Sequence, residues 1–453
     1  MTGTPMKRLL IAAGLCLAMI CTSLAQHAEI KLANTILKSD DTVVFVGDSI
    51  THQVLYTQYI EDFFITRYPQ VRLHFHNAGI GGDRAWDALQ RLDRDVISKQ
   101  PDLVTILLGM NDASYQPFNP EVFAMYQADM TQLLERLQTT DAAIAPITPT
   151  MFDAVAARAT KRERSEDMLR QYNAVLAFYG TWLRGEADRR SMTSIDMFSP
   201  LNNLTRQARL NDADYTMIKD AIHPGPDGQL VMASAWLEDL GLRGGVSNIV
   251  LTPFKESYKA RVQNGTVTNL KITDGTIEFV FTGHSLPWVT PTDTAAARDM
   301  LKIGHRFSRE GFQVHGLEPG KYELQIDGTV IDSFTHVQLA NHVELQNFPN
   351  TPQSIQAAQV VSRNQTRSGE TVRALRTHWF KFRNLQRSQR ALSEASDPKT
   401  REGLAAKVAK NEAAMEGFEA QLVELEAKAA AELDELYELA QPKPHRYTLR
   451  QVK

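Results

Sequence analysis

The chain has 453 residues, of which 43% are hydrophobic and 23% are charged, and it is long enough for two or three domains. Its formal net charge at pH 7 is −4, a mild acidity that gives no indication of binding to nucleic acid or to an anionic membrane surface. Beyond a short N-terminal run, no apolar stretch is long enough for a transmembrane helix.

The N-terminal segment has the pattern of a signal peptide, which we assign to residues 1–25. Lys7-Arg8 form its basic region, residues 9–20 its apolar core and Ser23-Leu24-Ala25 its cleavage site. This core is too short to span a bilayer, which takes about 20 residues. Cleavage before Gln26 and a secreted or periplasmic location are therefore expected.

A lipoprotein cut before Cys21 is the alternative, which is disfavoured because Ile20 is bulky where a small residue is expected. Both cysteines, Cys16 and Cys21, lie in the signal segment, so the mature chain has none. Export without disulfides is typical of a bacterial secreted or periplasmic protein rather than of a small disulfide-stapled one.

The first motif follows a β-branched and aromatic run. Residues Thr42 to Val46 predict a buried parallel strand, and helical spacing begins at Thr51. Ser49, in Gly47-Asp48-Ser49, therefore lies at a strand-to-helix turn. In open α/β sheets, ligands bind at this end of the strands. The alternative is that Ser49 only caps the helix.

Two further motifs follow predicted strands. Leu73 to His76 precede the glycine-rich turn Asn77 to Gly82, where a bare backbone N–H can approach a ligand. Asp102 to Leu108 precede a loop in which Asn111 offers an amide donor for an oxyanion, while Asp112 braces the loop. Taken alone, an asparagine at this position is more often an ordinary turn residue.

The fourth motif is Asp220-Ala221-Ile222-His223-Pro224, in a predicted loop. A serine nucleophile needs an imidazole as base, and that imidazole needs a carboxylate to hold its other nitrogen. His223 and Asp220 supply both on one short loop. A lone histidine is more often a surface or core residue, but four such motifs in this order predict a serine esterase.

The four motifs resemble those of the SGNH (GDSL-type) hydrolase superfamily. The resemblance implies that Ser49 is the nucleophile, His223 the general base and Asp220 its orienting carboxylate. It implies an oxyanion hole made of the Ser49 N–H, the Gly82 N–H and the Asn111 side chain. It favours Gly82 over the two neighbouring glycines because the glycine of the family pattern lies five residues after the asparagine. The supporting residues are Asp48, Asn77 and Asp112.

The resemblance covers about residues 41–242 and implies a flavodoxin-like three-layer α/β/α fold. The alternation of strands and helices indicates an α/β domain independently. Within it the sequence predicts a helix over 154–183, a fifth strand over 192–195 and a closing helix over 228–240. We place the catalytic domain at 26–244. The superfamily includes lipases, thioesterases, lysophospholipases and polysaccharide deacetylases, so the resemblance does not identify the substrate.

Two further regions are predicted. Residues 245–348 have the strand and turn pattern of a β-rich, sandwich-like module, which is either a carbohydrate-binding module or, as we favour, a scaffold. Residues 349–453 predict a helical hairpin, with helices over 354–385 and 400–439. Its aromatic residues Trp379, Phe380 and Phe382 dock it to the body or, alternatively, border the active site.

Two further sequence patterns resemble functional sites but are not expected to be functional. Gly283-His284-Ser285 resembles the start of a nucleophile elbow, but Pro287 and Pro291 prevent the helix that this motif requires. His74 and His76 share one face of a strand but have no third ligand nearby, so no metal site is expected.

The sequence thus predicts an esterase that needs no cofactor and removes small acyl groups, most simply acetyl, from an acylated carbohydrate. A lipid-type esterase or lysophospholipase is one alternative, and a non-catalytic glycan-binding or scaffold protein is another. The oligomeric state does not follow from the sequence.

Overall fold

The computed structural model describes residues 29–33, 35–160 and 162–452, and the predicted signal peptide lies outside them. The strands in these ranges are β1 (Ile30–Lys31), β2 (Ile36–Leu37), β3 (Thr42–Gly47), β4 (His74–Gly79), β5 (Leu103–Leu107), β6 (Ala143–Ile147), β7 (Ser247–Phe254), β8 (Ser257–Gln263), β9 (Gly265–Thr273), β10 (Thr276–Gly283), β11 (Glu310–Val314), β12 (Lys321–Ile326), β13 (Thr329–Thr335), β14 (Val343–Glu344) and β15 (Pro444–Val452).

The α-helices in the same ranges are α1 (Ser49–His52), α2 (Leu55–Arg67), α3 (Ala85–Asp95), α4 (Pro120–Leu137), α5 (Ala154–Ala159), α6 (Glu166–Arg189), α7 (Phe198–Ala208), α8 (Pro226–Asp239), α9 (Ala295–Leu301), α10 (Ile303–Phe307), α11 (His336–Asn341), α12 (Pro352–Arg367), α13 (Arg373–Glu394), α14 (Pro398–Ala413) and α15 (Phe418–Leu439). Among the described residues, none of these helices has both the length and the apolar character that crossing a membrane requires.

The N-terminal half is built on a parallel sheet with the strand order β4-β3-β5-β6. A single parallel bridge from Ile195 to Ile147 continues this order, which is that of flavodoxin-like sheets. Helices α2 and α8 pack together over the ring of Phe45 in β3. The fold class predicted from the sequence is confirmed, but the predicted fifth strand at 192–195 is wrong because it is reduced to that one bridge.

The continuous helix predicted over 154–183 is also wrong. Helix α5 ends at Ala159, and α6 begins only at Glu166, where the Ser165 side chain accepts a hydrogen bond from the Met168 N–H at 3.2 Å. A serine at this position favours a new helix start over a continuous helix. The segment between the two helices contributes Arg162, Glu163 and Arg164 to the cavity beside Ser49.

The β-rich region consists of two sheets that share a core. One has the order β13-β12-β15-β10-β9, and the other has the order β14-β11-β7-β8. Phe279 and Tyr447 from the first sheet and Phe312 from the second pack together in this core. The chain returns to this region after the helices, since β15 lies between β12 and β10. Residues 444–452 therefore form a strand and not part of the predicted helical hairpin.

The C-terminal helices lie against the parallel-sheet domain. Helix α12 continues through a π-helical turn at Ser368–Val372 into α13. The predicted helix over 400–439 is divided into α14 and α15 at Gly417, whose φ is +70°. Trp379 and Phe382 are buried against Ile80, so these two aromatic residues dock the helices to the body as predicted.

Candidate active site

Ser49 is the first residue of α1, directly after the central strand β3. The Asp48 side chain caps this helix by accepting a hydrogen bond from the Ile50 N–H at 2.9 Å. Gly47 is required at the strand end, because a Cβ there would lie 2.0 Å from Oγ1 of Thr51. The Ser49 N–H belongs to the first turn, where amides have no intrahelical acceptor, so it is available to a ligand at the helix start.

His223 and Asp220 lie on the loop before α8 and reach Ser49. Nε2 of His223 is 2.8 Å from Oγ of Ser49, and Nδ1 is 2.6 Å from Oδ2 of Asp220. Oδ1 of Asp220 also accepts hydrogen bonds from the N–H groups of Ile222 and His223. The carboxylate therefore holds both the ring and the backbone of the histidine. This geometry suits proton transfer from a serine to an imidazole.

The hydrogen bonds of Asp220 outweigh the effect of its burial. Partial burial by itself raises the pKa of this carboxyl, but the bonds from the His223 ring, the His223 N–H and the Ile222 N–H lower it, and the net pKa is below the ordinary 3.8. Asp220 is therefore ionised at neutral pH and can stabilise an imidazolium at His223.

Gly82 and Asn111 line the same cavity as Ser49 and His223. Gly82 has a φ of +77°, a conformation that favours glycine. Nδ2 of Asn111 donates to the Asp83 carbonyl at 3.1 Å and to Oδ2 of Asp48 at 3.2 Å, while its Oδ1 accepts from the Tyr115 hydroxyl at 3.0 Å. The hydrogen bond from Tyr115 fixes the orientation of the amide, and both hydrogens of Nδ2 have acceptors in the structure.

The predicted supporting residues hold the three loops by hydrogen bonds to backbone groups. Asn77 donates to the Thr51 carbonyl at 2.9 Å and accepts from the Gly79 N–H at 2.9 Å. Asp112 accepts from the N–H groups of Ala85 and Gly109 at 2.8 and 2.9 Å. The loop after β5 is thereby tied to α3, which follows the glycine turn.

Asp48, Asp83 and Asp112 form a cluster of buried carboxyl groups behind the cavity. Burial is the largest influence on each of them and raises the pKa of each to about 7. Hydrogen bonds from backbone N–H groups oppose this effect at Asp48 and Asp112, while Arg91 opposes it at Asp83.

Helix α13, nearly 300 residues from the glycine turn in sequence, forms one wall of the site. Arg387 donates to the Gly82 carbonyl at 2.6 Å, and Arg376 donates to the Gly79 carbonyl at 3.3 Å. Phe380 packs on the turn between them, since a Cβ on Gly81 would lie 3.0 Å from its ring. Both ends of the glycine turn are thus held by arginines of the C-terminal helices.

Sequence reasoning missed these arginines and Tyr115. It offered Phe380 only as one of two alternatives, and the structure brings its ring to 5.1 Å from the His52 ring beside Ser49. The arginines of α13 carry no local motif, because their partners are backbone carbonyls of another region. Tyr115 follows Asn111 by four residues, and that spacing was the one local signal that could have identified it.

Ser285 and the histidines His74 and His76, whose sequence patterns resemble functional sites, make structural contacts. Ser285 donates its hydroxyl to the Arg67 carbonyl at 2.6 Å and is buried. His76 pairs with the buried Asp95 at 2.9 Å, whereas His74 lies beside Arg72. Within residues 29–33, 35–160 and 162–452, no group of three or more histidine, cysteine or acidic residues is arranged to hold a metal ion.

The sequence model of the GDSL-like lipase/acylhydrolase family matches residues 45–231. An acetylxylan esterase from Geobacillus stearothermophilus is 24% identical over 224 residues, which are 45% of this chain and 95% of that protein. The solved structure of a gut microbial diltiazem-metabolizing enzyme is 25% identical, with a TM-score of 0.78, and the match covers 92% of this chain and 98% of that one. That similarity extends over the β-rich and helical regions as well as the parallel-sheet domain.

Proposed function

Because residues 45–231 belong to the GDSL-like lipase/acylhydrolase family and the protein is a carboxylic ester hydrolase, we propose that it removes acetyl groups from carbohydrate through an acyl-enzyme at Ser49. The observation that carries this proposal is the continuous series of hydrogen bonds from Ser49 through His223 to Asp220. Ser49 and His223 line a cavity that Gly82 and Asn111 also line.

In the first half of the proposed reaction, Oγ of Ser49 attacks the ester carbonyl while Nε2 of His223 takes its proton. The oxyanion of the tetrahedral intermediate accepts hydrogen bonds from the N–H groups of Ser49 and Gly82 and from Nδ2 of Asn111, which gives up its 3.2 Å contact with Asp48 for this purpose. His223 then gives its proton to the leaving sugar oxygen, and the bond to that oxygen breaks. Asp220 stabilises the imidazolium throughout.

In the second half, water attacks the acyl group on Ser49 after the sugar alcohol has left. Nε2 of His223 takes a proton from this water, and the same three donors stabilise the second oxyanion. Collapse of the intermediate returns the proton to Oγ of Ser49 and releases the carboxylic acid. The net reaction is ester plus water giving alcohol plus acid, with no cofactor.

A small acyl group is favoured by the limited apolar surface in the cavity beside Ser49, which offers little contact to a long acyl chain. The Phe380 ring approaches Gly81, and the Cβ position of Gly81 lies only 3.9 Å from Cβ of Ser49. The ring of His52 packs against the same phenylalanine. The two rings support the glycine turn from outside the cavity lining, and acetyl is the smallest group that a carbohydrate ester commonly carries.

A carbohydrate alcohol is favoured by the character of the cavity, which has a volume of about 670 Å³. Arg162, Glu163, Arg164 and Ser165 form one side of it, so hydroxyl groups would find donors and acceptors there. The acetylxylan esterase to which the chain is similar is named for the same class of substrate. Export, as the signal-peptide pattern of residues 1–25 predicts, would bring the enzyme to extracellular glycans, and fractionation of expressing cells tests that location.

A lipid-type esterase is the second candidate and has weaker support. It would need an apolar channel for a long acyl chain, whereas the apolar lining of the cavity is limited to Met168, Ile222 and the ring of Tyr115. An apolar cavity between Phe118 and Phe178 has a volume of about 250 Å³ and has no lining residue in common with the cavity at Ser49.

The test is hydrolysis of p-nitrophenyl esters from acetyl to long acyl, together with acetate release from acetylated xylan. Ser49→Ala and Ser285→Ala serve as the test and the matched control. The proposal predicts that the rate falls steeply beyond acetyl and that only Ser49→Ala abolishes turnover. A preference for long acyl chains would support the lipid esterase, and no turnover of any ester would contradict catalysis.

A further inference from the structure

A second cavity adjoins the one at Ser49. It has a volume of about 410 Å³ and lies between α3 and α13, with Trp86 and Arg390 among its lining residues. Gly82, Asn111 and Tyr115 line both cavities. The two therefore form one cleft that passes the oxyanion donors, and a substrate larger than a single sugar can occupy both parts.

Arginines are concentrated around this cleft, although the chain as a whole is acidic with a net charge of −4. Those that line the two cavities are Arg84, Arg162, Arg164, Arg387 and Arg390. Arg383, on α13 between Phe380 and Arg387, lies against Gly82, since a Cβ on that glycine would be 3.6 Å from its terminal nitrogen. Such a local excess of positive charge attracts anions.

Only two of these arginines have an acidic partner in the described part of the chain. Arg387 pairs with Asp87 at 2.6 Å, and Arg390 pairs with Glu394 at 2.7 Å. No ion pair within 4.0 Å involves the other four among residues 29–33, 35–160 and 162–452. Glu163 is the remaining acidic residue of the lining apart from the carboxylates in these two pairs.

Arg383 is the arginine whose position is least explained by the fold. Its Nε is buried without a hydrogen-bond partner among the described residues, and its guanidinium lies over the Phe380 ring at 4.8 Å from the centroid. Arg383 lines neither cavity, and Asp83 and Asp87 favour its charged form, so it adds positive charge behind Gly82 without being a direct contact for a ligand.

We propose that the cleft binds a negatively charged group of the substrate, namely a carboxylate or sulfate carried by the acetylated carbohydrate. The proposal rests on the proposed function and narrows its substrate class to acidic glycans. Guanidinium groups suit such ligands because their planar donors match two oxygens of one anion. Arg84 and Arg164 are the principal contacts, because they line the two parts of the cleft on either side of the oxyanion donors and have no ion pair within 4.0 Å among the described residues.

The test compares pairs of substrates that differ only in charge. O-acetylated polygalacturonate is compared with the same polymer after methyl esterification of its carboxylates, and O-acetylated dextran sulfate is compared with O-acetylated dextran. The measured quantity is the ratio of kcat/KM for acetate release within each pair. The first pair reports on carboxylate and the second on sulfate, so the two sources of anion are distinguished.

The wild-type enzyme is expected to prefer the charged member of at least one pair, and added salt is expected to reduce that preference. Arg164→Gln and Arg84→Gln should each lower the preference about tenfold, the effect of one charge-assisted hydrogen bond. Arg261→Gln, an exposed position on β8 outside the cleft, should leave it unchanged. Equal rates on both members of both pairs, or a preference that both cleft variants retain, would overturn the proposal.

Failure of the proposed function gives a different result, because the wild-type enzyme would then release no acetate from any of the four polymers, whereas failure of the anion proposal alone leaves measurable and equal rates within each pair. Binding remains measurable in that case. Calorimetric titration of Ser49→Ala with unacetylated oligogalacturonate and with a sulfated oligosaccharide should detect binding that adding Arg84→Gln to this variant weakens about tenfold. Absence of binding by both anions would overturn the proposal independently of turnover.

Discussion

Replacement of Arg387 by methionine tests whether the C-terminal helices hold the oxyanion donors in place. The guanidinium of Arg387 bonds to the Gly82 carbonyl and to both carboxylate oxygens of Asp87. Asp87 is 3% exposed, whereas Arg387 is 39% exposed, so solvent compensates part of the loss. We expect the free energy of unfolding to fall by about 1–2 kcal/mol, the low end for charged hydrogen bonds.

The effect on catalysis should be larger than this loss of stability suggests. Removal of a whole oxyanion donor costs about 10²–10³ in kcat, and a displaced donor costs less than a missing one. We therefore expect kcat of Arg387→Met on p-nitrophenyl acetate to fall about 10- to 100-fold with little change in KM, because a shifted Gly82 N–H weakens only the transition-state contact.

The matched control is Arg363→Met, which removes an exposed ion pair with Glu435 between α12 and α15. It should cost less than about 1 kcal/mol of stability and leave kcat unchanged. Steady-state kinetics and urea unfolding at one pH measure both quantities for each variant. If Arg387→Met loses stability as expected but keeps kcat within about twofold of the wild type, Arg387 does not position the oxyanion donors.

Three other variants probe the site and its support. Asn111→Ala should lower kcat by about 10²–10³ through loss of one oxyanion donor, and wild-type kinetics would show that its amide does not reach the oxyanion. Arg376→Met should cost about 3–5 kcal/mol in urea unfolding, because its ion pair with Asp95 has 0% exposure on both sides, and a loss below about 1 kcal/mol would contradict a structural role. Burial raises the pKa of Asp48 from 3.8 to about 7, so its contribution to stability is fully present below 3.8 and is lost as the pH rises through about 7. Between pH 3.8 and about 7 the unfolding free energy of Asp48→Asn should therefore change less than that of the wild type. Parallel pH profiles of the variant and the wild type would refute the raised pKa of Asp48.

The parts of the molecule that the sequence predicted well are those with short-range signals. Strand β3 and the turn at Ser49 are marked by a β-branched run followed directly by glycine and a capping residue. His223 and Asp220 lie on one loop, so their mutual hydrogen bond depends on three residues of sequence. Such local patterns persist in the folded chain because tertiary contacts only have to bring the loops together.

The parts that the sequence could not predict depend on long-range contacts. Arg387 and Gly82 are brought together only by the docking of α13, which depends on buried contacts such as those of Trp379 and Ile80. The C-terminal strand β15 has an alternating pattern in which Tyr447 and Leu449 are buried. That pattern is too short to show which sheet it joins, and its partners β10 and β12 precede it by more than 100 residues.

The central claim is that Ser49 is the nucleophile of an ester hydrolase. The most direct test is incubation of the enzyme with a fluorophosphonate, followed by intact-mass measurement and peptide mapping, beside ester turnover of Ser49→Ala. A single adduct is expected on the peptide that contains Ser49, with neither adduct nor turnover in Ser49→Ala. An adduct on another residue such as Ser285, or turnover that survives in Ser49→Ala, would contradict it.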